Sequence, residues 1–248
     1  MTWIPPDLNG KRYAVTGGTA GIGRHIADRL SAAGAEVVTL ARGGRATIRL
    51  DLADLDSVAA AAGRLSELDG LDGLVLNAGT NDDERAFATN HLGHFALTAL
   101  TLPSLIGGRV VSIGSIMTRW VKYDPRDEES YAQSKHAVLL FAFELDRRLR
   151  KSGVDIRSTA AHSGLALERF PLRWPVQSKA RGAWPALRAA TDPDALGGLH
   201  YGPRFGTAGP PVVVAPAATS RDPELAAQLW ARSEELTGLT FDLPAGTR

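Results

Sequence analysis

The chain contains no cysteine in its 248 residues. Disulfides and thiolate metal centres are therefore excluded, and the lack is compatible with a reducing, cytoplasmic setting. An excess of either charge is missing too: 28 Lys and Arg stand against 27 Asp and Glu, a net charge of +1. A nucleic-acid binder would need a basic stripe, whereas these arginines are scattered as on a solvated surface. No stretch reaches the roughly 18 apolar residues that a membrane span needs. The opening "MTWIPPDLNGKR" has no apolar core of signal-peptide length. There is no internal repeat and no low-complexity linker. What remains is 44% hydrophobic and 22% charged, the balance of one globular domain with a full core. The expected partner is a small molecule, with no nucleic acid, no membrane and no metal.

Short β-rich runs alternate with helical patterns. "RYAVTG" (12–17), "AEVVTLA" (35–41), "ATIRLDL" (46–52), "LDGLVLNAG" (71–79), "GRVVSIGS" (108–115) and "VDIRSTAAH" (154–162) read as buried strands. Amphipathic stretches at 21–33, 54–67, 87–106 and 130–151 read as helices. Such alternation with near-continuous apolar strands predicts a Rossmann-type α/β fold, a doubly wound parallel sheet covered on both faces. The whole of 1–248 reads as this one domain. Within it, 163–216 is rich in proline and glycine and reads as an irregular substrate-side lid, with a helix near 180–190. Phe170, Trp174 and Trp184 would suit an apolar or aromatic ligand there, and a packed lid equally well. "DPELAAQLWARSEEL" (222–236) starts a last helix on an Asp-Pro-Glu signal.

"TGGTAGIGRHIADRL" (16–30) gathers glycines between a strand and a helix. In a parallel sheet that turn lies at the carboxyl ends of the strands. Gly17, Gly21 and Gly23 leave room for a pyrophosphate to approach the backbone, at the positive end of the helix dipole. The spacing is Thr-Gly-x-x-x-Gly-Ile-Gly. Further on come "NAG" at 77–79, "FATNHLGHF" with Asn90, "VVSIGS" ending on Ser115, and "YAQSK" with Tyr131 and Lys135. In this order the motifs resemble the short-chain dehydrogenase/reductase family, over most of the chain. Within it "ATNHLGHFALT" and "YGP" look most like the retinol-dehydrogenase-like and actinobacterial branch.

Tyr131 and Lys135, four apart on a helix, project from one face. An ammonium beside the phenol would lower its pKa and ready it for proton transfer. Ser115 can bond a carbonyl oxygen where charge develops. Arg42, after a strand ending in the uncharged Ala41, suits the 2′-phosphate of NADP(H) and favours it over NAD(H). Arg24 could assist. The resemblance adds that Asn90 holds a helix kink and a water leading to Lys135, and that Lys135 also reaches the nicotinamide ribose. Thr19, Ile22, Asp51, Leu52, Asn77, Ala78 and Gly79 line the cofactor, with Ser163 and Gly164 at its nicotinamide end. It also implies a homodimer or homotetramer joined through the helices of Asn90 and Tyr131. His91, His94 and His136 read as packing or surface residues.

The chain departs from the family at three places. Ser163 stands where Pro is usual, with Leu167 near the place of a threonine. About ten residues separate Gly79 from Asn90, and the link 42–45 is too short for a helix. The reading is an NADP(H)-dependent oxidoreductase interconverting a carbonyl and an alcohol on a small, apolar substrate. Two alternatives stay open: a natural-product tailoring enzyme without net redox change, and a non-catalytic nucleotide-binding protein.

Overall fold

The computed structural model describes residues 3–105, 107–127, 130–167, 176–241 and 243. The first half alternates as expected: β1 (Arg12–Thr16), α1 (Gly21–Ala32), β2 (Glu36–Ala41), β3 (Ile48–Arg49), α2 (Leu55–Ser66), β4 (Gly73–Leu76), α3 (Asp83–Phe87), α4 (Gly93–Thr101) and β5 (Arg109–Ile113). Next come α5 (Tyr131–Ser152), β6 (Arg157–Ala161), β7 (Ala166–Leu167), β8 (Gln177–Ser178), α6 (Lys179–Gly182) and α7 (Trp184–Thr191). The chain closes with β9 (His200–Pro203), β10 (Pro211–Val213) and α8 (Pro223–Thr237). Among the described residues eight strands share one sheet in the order β10-β9-β6-β5-β4-β1-β2-β3. The pairings are parallel except for the β9–β10 hairpin.

Both faces of the sheet are buried because alternate strand residues point to opposite sides. Ala14 of β1 and Leu74 and Leu76 of β4 meet Leu65 of α2, Phe95 of α4, Phe141 of α5 and Trp230 of α8. Tyr13, Val15 and Val75 meet Ile26 and Leu30 of α1 and Leu187 of α7 on the other side. The helices are capped as their sequences indicate. Asp54 accepts from the amides of Asp56 and Ser57 at the start of α2, and Asp222 from those of Glu224 and Leu225 at the start of α8. Each such cap is worth about 1 kcal/mol.

Three expectations change. The strand expected at 46–52 is reduced to Ile48–Arg49, because the short link cannot return along a full strand. Its bend is held by Thr47 N donating to Thr39 Oγ1 at 3.1 Å and Thr39 N to Thr47 Oγ1 at 3.2 Å. The helix expected at 87–106 is instead α3 and α4 joined by a π-helical turn, Ala88–Leu92, and it stops before Pro103. Finally, part of 163–216 is scaffold: α7 is built into the core and β9 extends the sheet beside β6. Gly202 and Pro203 in "HYGP" conceal that strand in the sequence. Phe170 and Trp174 lie outside the described residues.

Candidate active site

The glycine-rich turn joins β1 to α1. Gly17 and Gly21 have φ of 65° and 55°, in the left-handed region. A Cβ on Gly23 would come within 2.3 Å of both Gly17 O and Asn77 Nδ2, so only glycine lets α1 pack this close. The N-cap of α1 is Ala20, which offers no side-chain acceptor. The first-turn amides therefore face outward with the positive end of the helix dipole. They open onto a cleft of about 690 Å³ lined by Gly17, Thr19, Gly21, Ile22, Arg42, Asp51, Leu52, Asn77, Ala78 and Gly79, a volume usual for small-molecule sites. These are residues singled out from the sequence, and the uncapped turn and open cleft fit a dinucleotide. Arg85 and Lys179 also line the cleft and went unnoticed in the sequence. Arg85 lies 3.8 Å from the Asp51 carboxylate. Arg24 turns away to pair with Asp28 along α1 at 3.7 Å and is not among the lining residues.

A buried network ties the ends of β1 and β4 to the π-helical turn. Thr16 Oγ1 accepts the amides of Asn77 and Ala78, each at 2.9 Å. It lies 2.9 Å from His94 Nε2, and His94 Nδ1 lies 3.0 Å from Asn90 O. A carbonyl can only accept, so Nδ1 carries the proton and the Thr16 hydroxyl donates to Nε2. Burial pushes the His94 pKa down to about 3, which keeps the ring neutral. Asn90 is fully buried: Oδ1 accepts from Thr80 N at 2.8 Å, and Nδ2 donates to Thr80 O and Ser134 Oγ. His91 and His136 are buried as well, in line with a packing role. The link from Thr16 to His94 was not legible from local spacing, since the two are 78 residues apart.

Ser115 follows β5 and caps a 3₁₀ turn, Ile116–Arg119, with Met117 N donating to its Oγ at 3.2 Å. Tyr131 is the first residue of α5, whose N-cap Ser130 accepts from Gln133 N. The Tyr131 amide donates to Asp83 Oδ1 of α3 at 2.8 Å, which fixes where α5 begins. Ser115 stands close enough to the Tyr131 phenol to draw its pKa down. Lys135 is 6% exposed and donates from Nζ to Ile113 O at 3.0 Å. A Cβ on Gly79 would meet Asn90 Oδ1 at 2.9 Å and Lys135 Nζ at 3.4 Å, so the three residues converge. Burial lowers the Lys135 pKa to about 8.

One electrostatic expectation is overturned. Burial raises the Tyr131 phenol above its ordinary pKa, and Ser115 only opposes this. The downward pull expected of Lys135 does not prevail: its ammonium lies 5.8 Å from the ring centroid and is committed to Ile113. Ser163 and Gly164 follow β6 at the same end of the sheet, outside the cleft lining. With no proline at 163, this strap is held by hydrogen bonds. Gly164 N donates to His162 Nδ1 at 3.1 Å, Leu165 N to Thr207 O at 2.9 Å and Gln177 Nε2 to Ser163 O at 2.7 Å. Leu167 lies in β7, paired with Ser178.

Residues 11–165 match the family described as short chain dehydrogenase. The chain belongs to the short-chain dehydrogenase/reductase family. Mouse polyprenol dehydrogenase is 35% identical, covering 95% of this chain and 86% of its own length. Human retinol dehydrogenase 13 is 29% identical, covering 94% and 86%. Both likenesses place the chain on the retinol-dehydrogenase-like side of the family. The crystal structure of an uncharacterised protein from Mycobacterium paratuberculosis superimposes with a TM-score of 0.84 at 34% identity, covering 98% of this chain and all of that one. A short-chain dehydrogenase/reductase is an oxidoreductase that uses NAD(P) and acts on alcohols and carbonyls.

Proposed function

We propose that this protein is an NADP(H)-dependent oxidoreductase that interconverts an alcohol and a carbonyl on an apolar substrate. The observation that carries the reading is Tyr131 next to Ser115, with Lys135 buried nearby against Gly79 of the cleft lined by the glycine-rich turn. A nicotinamide bound there supplies or receives the hydride. Tyr131 gives its phenolic proton to the substrate oxygen in reduction and takes it back in oxidation. Its raised pKa keeps the proton on at neutral pH, the state that reduction needs. Ser115 holds the same oxygen and steadies its developing charge. Lys135, charged for the most part at pH 7, faces the ribose side together with Asn90 and Gly79. Ser163 and Gly164 lie toward the nicotinamide.

Arg42 on the adenine side favours NADP(H), as its guanidinium matches a phosphate by charge and shape. The relatives named for retinol and polyprenol support an apolar substrate. Exposed Met117 and Trp120 just past Ser115 support it too. A homodimer or homotetramer belongs to the same reading. Part of α4 and α5 is covered by α8, with Phe95 and Phe141 against Trp230, so a copy would meet the remainder of those helices.

The test is loss of NADPH absorbance with a panel of long-chain aldehydes and apolar ketones. Turnover is expected with NADPH, and Tyr131→Phe should lower it by at least the ~10²-fold typical of acid–base catalysis while cofactor binding persists. Full activity in that variant would sink the mechanism.

A further inference from the structure

His94 lies in α4, buried, with both ring nitrogens occupied. A buried histidine is most often a satisfied core residue. Its neighbour His91 fits that description: its Nε2 meets Ser233 of α8, which does not line the cleft. His94 is placed differently. Nδ1 donates to Asn90 O of the π-helical turn at 3.0 Å, so in the neutral ring Nε2 is left as an acceptor. What it accepts is the proton of Thr16 Oγ1, 2.9 Å away.

The Thr16 hydroxyl has one proton and two lone pairs. Both lone pairs are taken, by the amides of Asn77 and Ala78 at 2.9 Å each. The proton must therefore leave in a third direction, where Nε2 stands. Another acceptor, Val75 O, lies farther off at 3.4 Å. A hydroxyl turned toward that carbonyl aims its lone pairs elsewhere. Asn77 and Ala78 are part of the cleft wall and lie against the glycine-rich turn. A Cβ on Gly17 would stand 3.1 Å from Ala78 Cα, and one on Gly23 would stand 2.3 Å from Asn77 Nδ2. With so little slack, a shift of 77–78 moves the wall against which a dinucleotide would lie.

Resting on the cofactor reading above, we propose that His94 is a positioning residue. It draws the Thr16 proton aside, so that Thr16 holds both amides of the β4 exit and keeps the cleft wall in the form that receives the dinucleotide.

The test compares the wild-type protein with His94→Phe, His94→Asn and His94→Gln. Phenylalanine keeps a ring and loses both bonds. The asparagine amide reaches to the place of Nδ1, so it keeps Asn90 O and gives up Thr16. The glutamine amide reaches to the place of Nε2 and can accept from Thr16. Amide exchange at Asn77 and Ala78 is followed without cofactor, and the Kd values for NADPH and NADH are taken by calorimetry. In His94→Phe and His94→Asn both amides are expected to exchange faster. Both dinucleotides should bind about tenfold more weakly, the effect of a buried hydroxyl left without its acceptor. His94→Gln should bring exchange and affinity back to within about threefold of wild type. In a Thr16→Val background His94→Phe should add no further loss of affinity, because His94 acts through that hydroxyl. If the phenyl ring does not pack, His94→Asn carries the same expectation. Affinities within about twofold of wild type in His94→Asn, whatever its melting temperature, would overturn the proposal. So would a His94→Gln variant no better than His94→Asn, or a loss in His94→Phe that adds to that of Thr16→Val. A wild-type protein that binds neither dinucleotide would sink the cofactor reading, and this proposal with it.

Discussion

Lys135 shows what a single buried ammonium costs the fold. A lysine titrates near 10.5 in water, and burial holds this one near 8. Between those values the unfolded chain binds a proton that the folded chain does not. Stability must then rise with pH from about 8 to 10.5, and at pH 7 the buried charge is a penalty on the order of 3 kcal/mol. Lys135→Met is expected to abolish turnover yet melt higher than wild type at pH 7, with the gap closing toward pH 10.5. A variant that melts lower across that range would refute this account of Lys135. The pairing of Tyr131 with Lys135 was legible because a four-residue step on a helix is a local rule. The sign of the Tyr131 shift was not, since it depends on burial and on where Nζ turns. The role of Thr16 and its contact with His94 were not legible for a related reason: the two lie far apart in sequence.

At the level of elements, runs of apolar residues located β1, β2, β4, β5 and β6 within a few residues. Strands interrupted by Gly and Pro were missed, as at β9 and β10. The short β2–β3 link is where a sequence argument led furthest. A parallel return in so few residues allows only a stub of a strand, and Ile48–Arg49 is that stub, at the edge of the sheet. Residues 42–45 are exposed there, while Arg42 and Asp51 line the cleft. Amide exchange is therefore expected to be fastest at 42–50 in the cofactor-free protein and to slow on adding NADPH. Strong protection of that stretch before any cofactor is added would mean the edge is covered by something else, such as a second copy.

For the molecule as a whole, the buried histidines set the response to acid. Burial is the first cause at each: it pushes His91, His94 and His200 down to about 3 and His162 to about 4. In the unfolded chain all four titrate near 6.5. Their neutral, packed form contributes fully above that pH, and its advantage is lost as the pH falls toward 4 and 3. Four such groups acting together remove about 5 kcal/mol per pH unit in the middle of the window. Asp146, whose pKa is raised by burial, works in the opposite direction but is a single carboxylate. A domain of ordinary stability has about 5–15 kcal/mol to lose. The protein is therefore expected to unfold cooperatively between about pH 5 and 3.5, read by tryptophan fluorescence and circular dichroism together. Trp230 should report the transition, since it packs on Phe95 and Phe141 beside His91, whose Nε2 lies 2.7 Å from Ser233 of the same helix. Replacing His91 by Gln should keep that contact and remove one titrating group, which moves the midpoint to lower pH. A midpoint that stays put in His91→Gln, or a wild-type protein still folded at pH 3, would show that carboxylates rather than these rings govern acid unfolding.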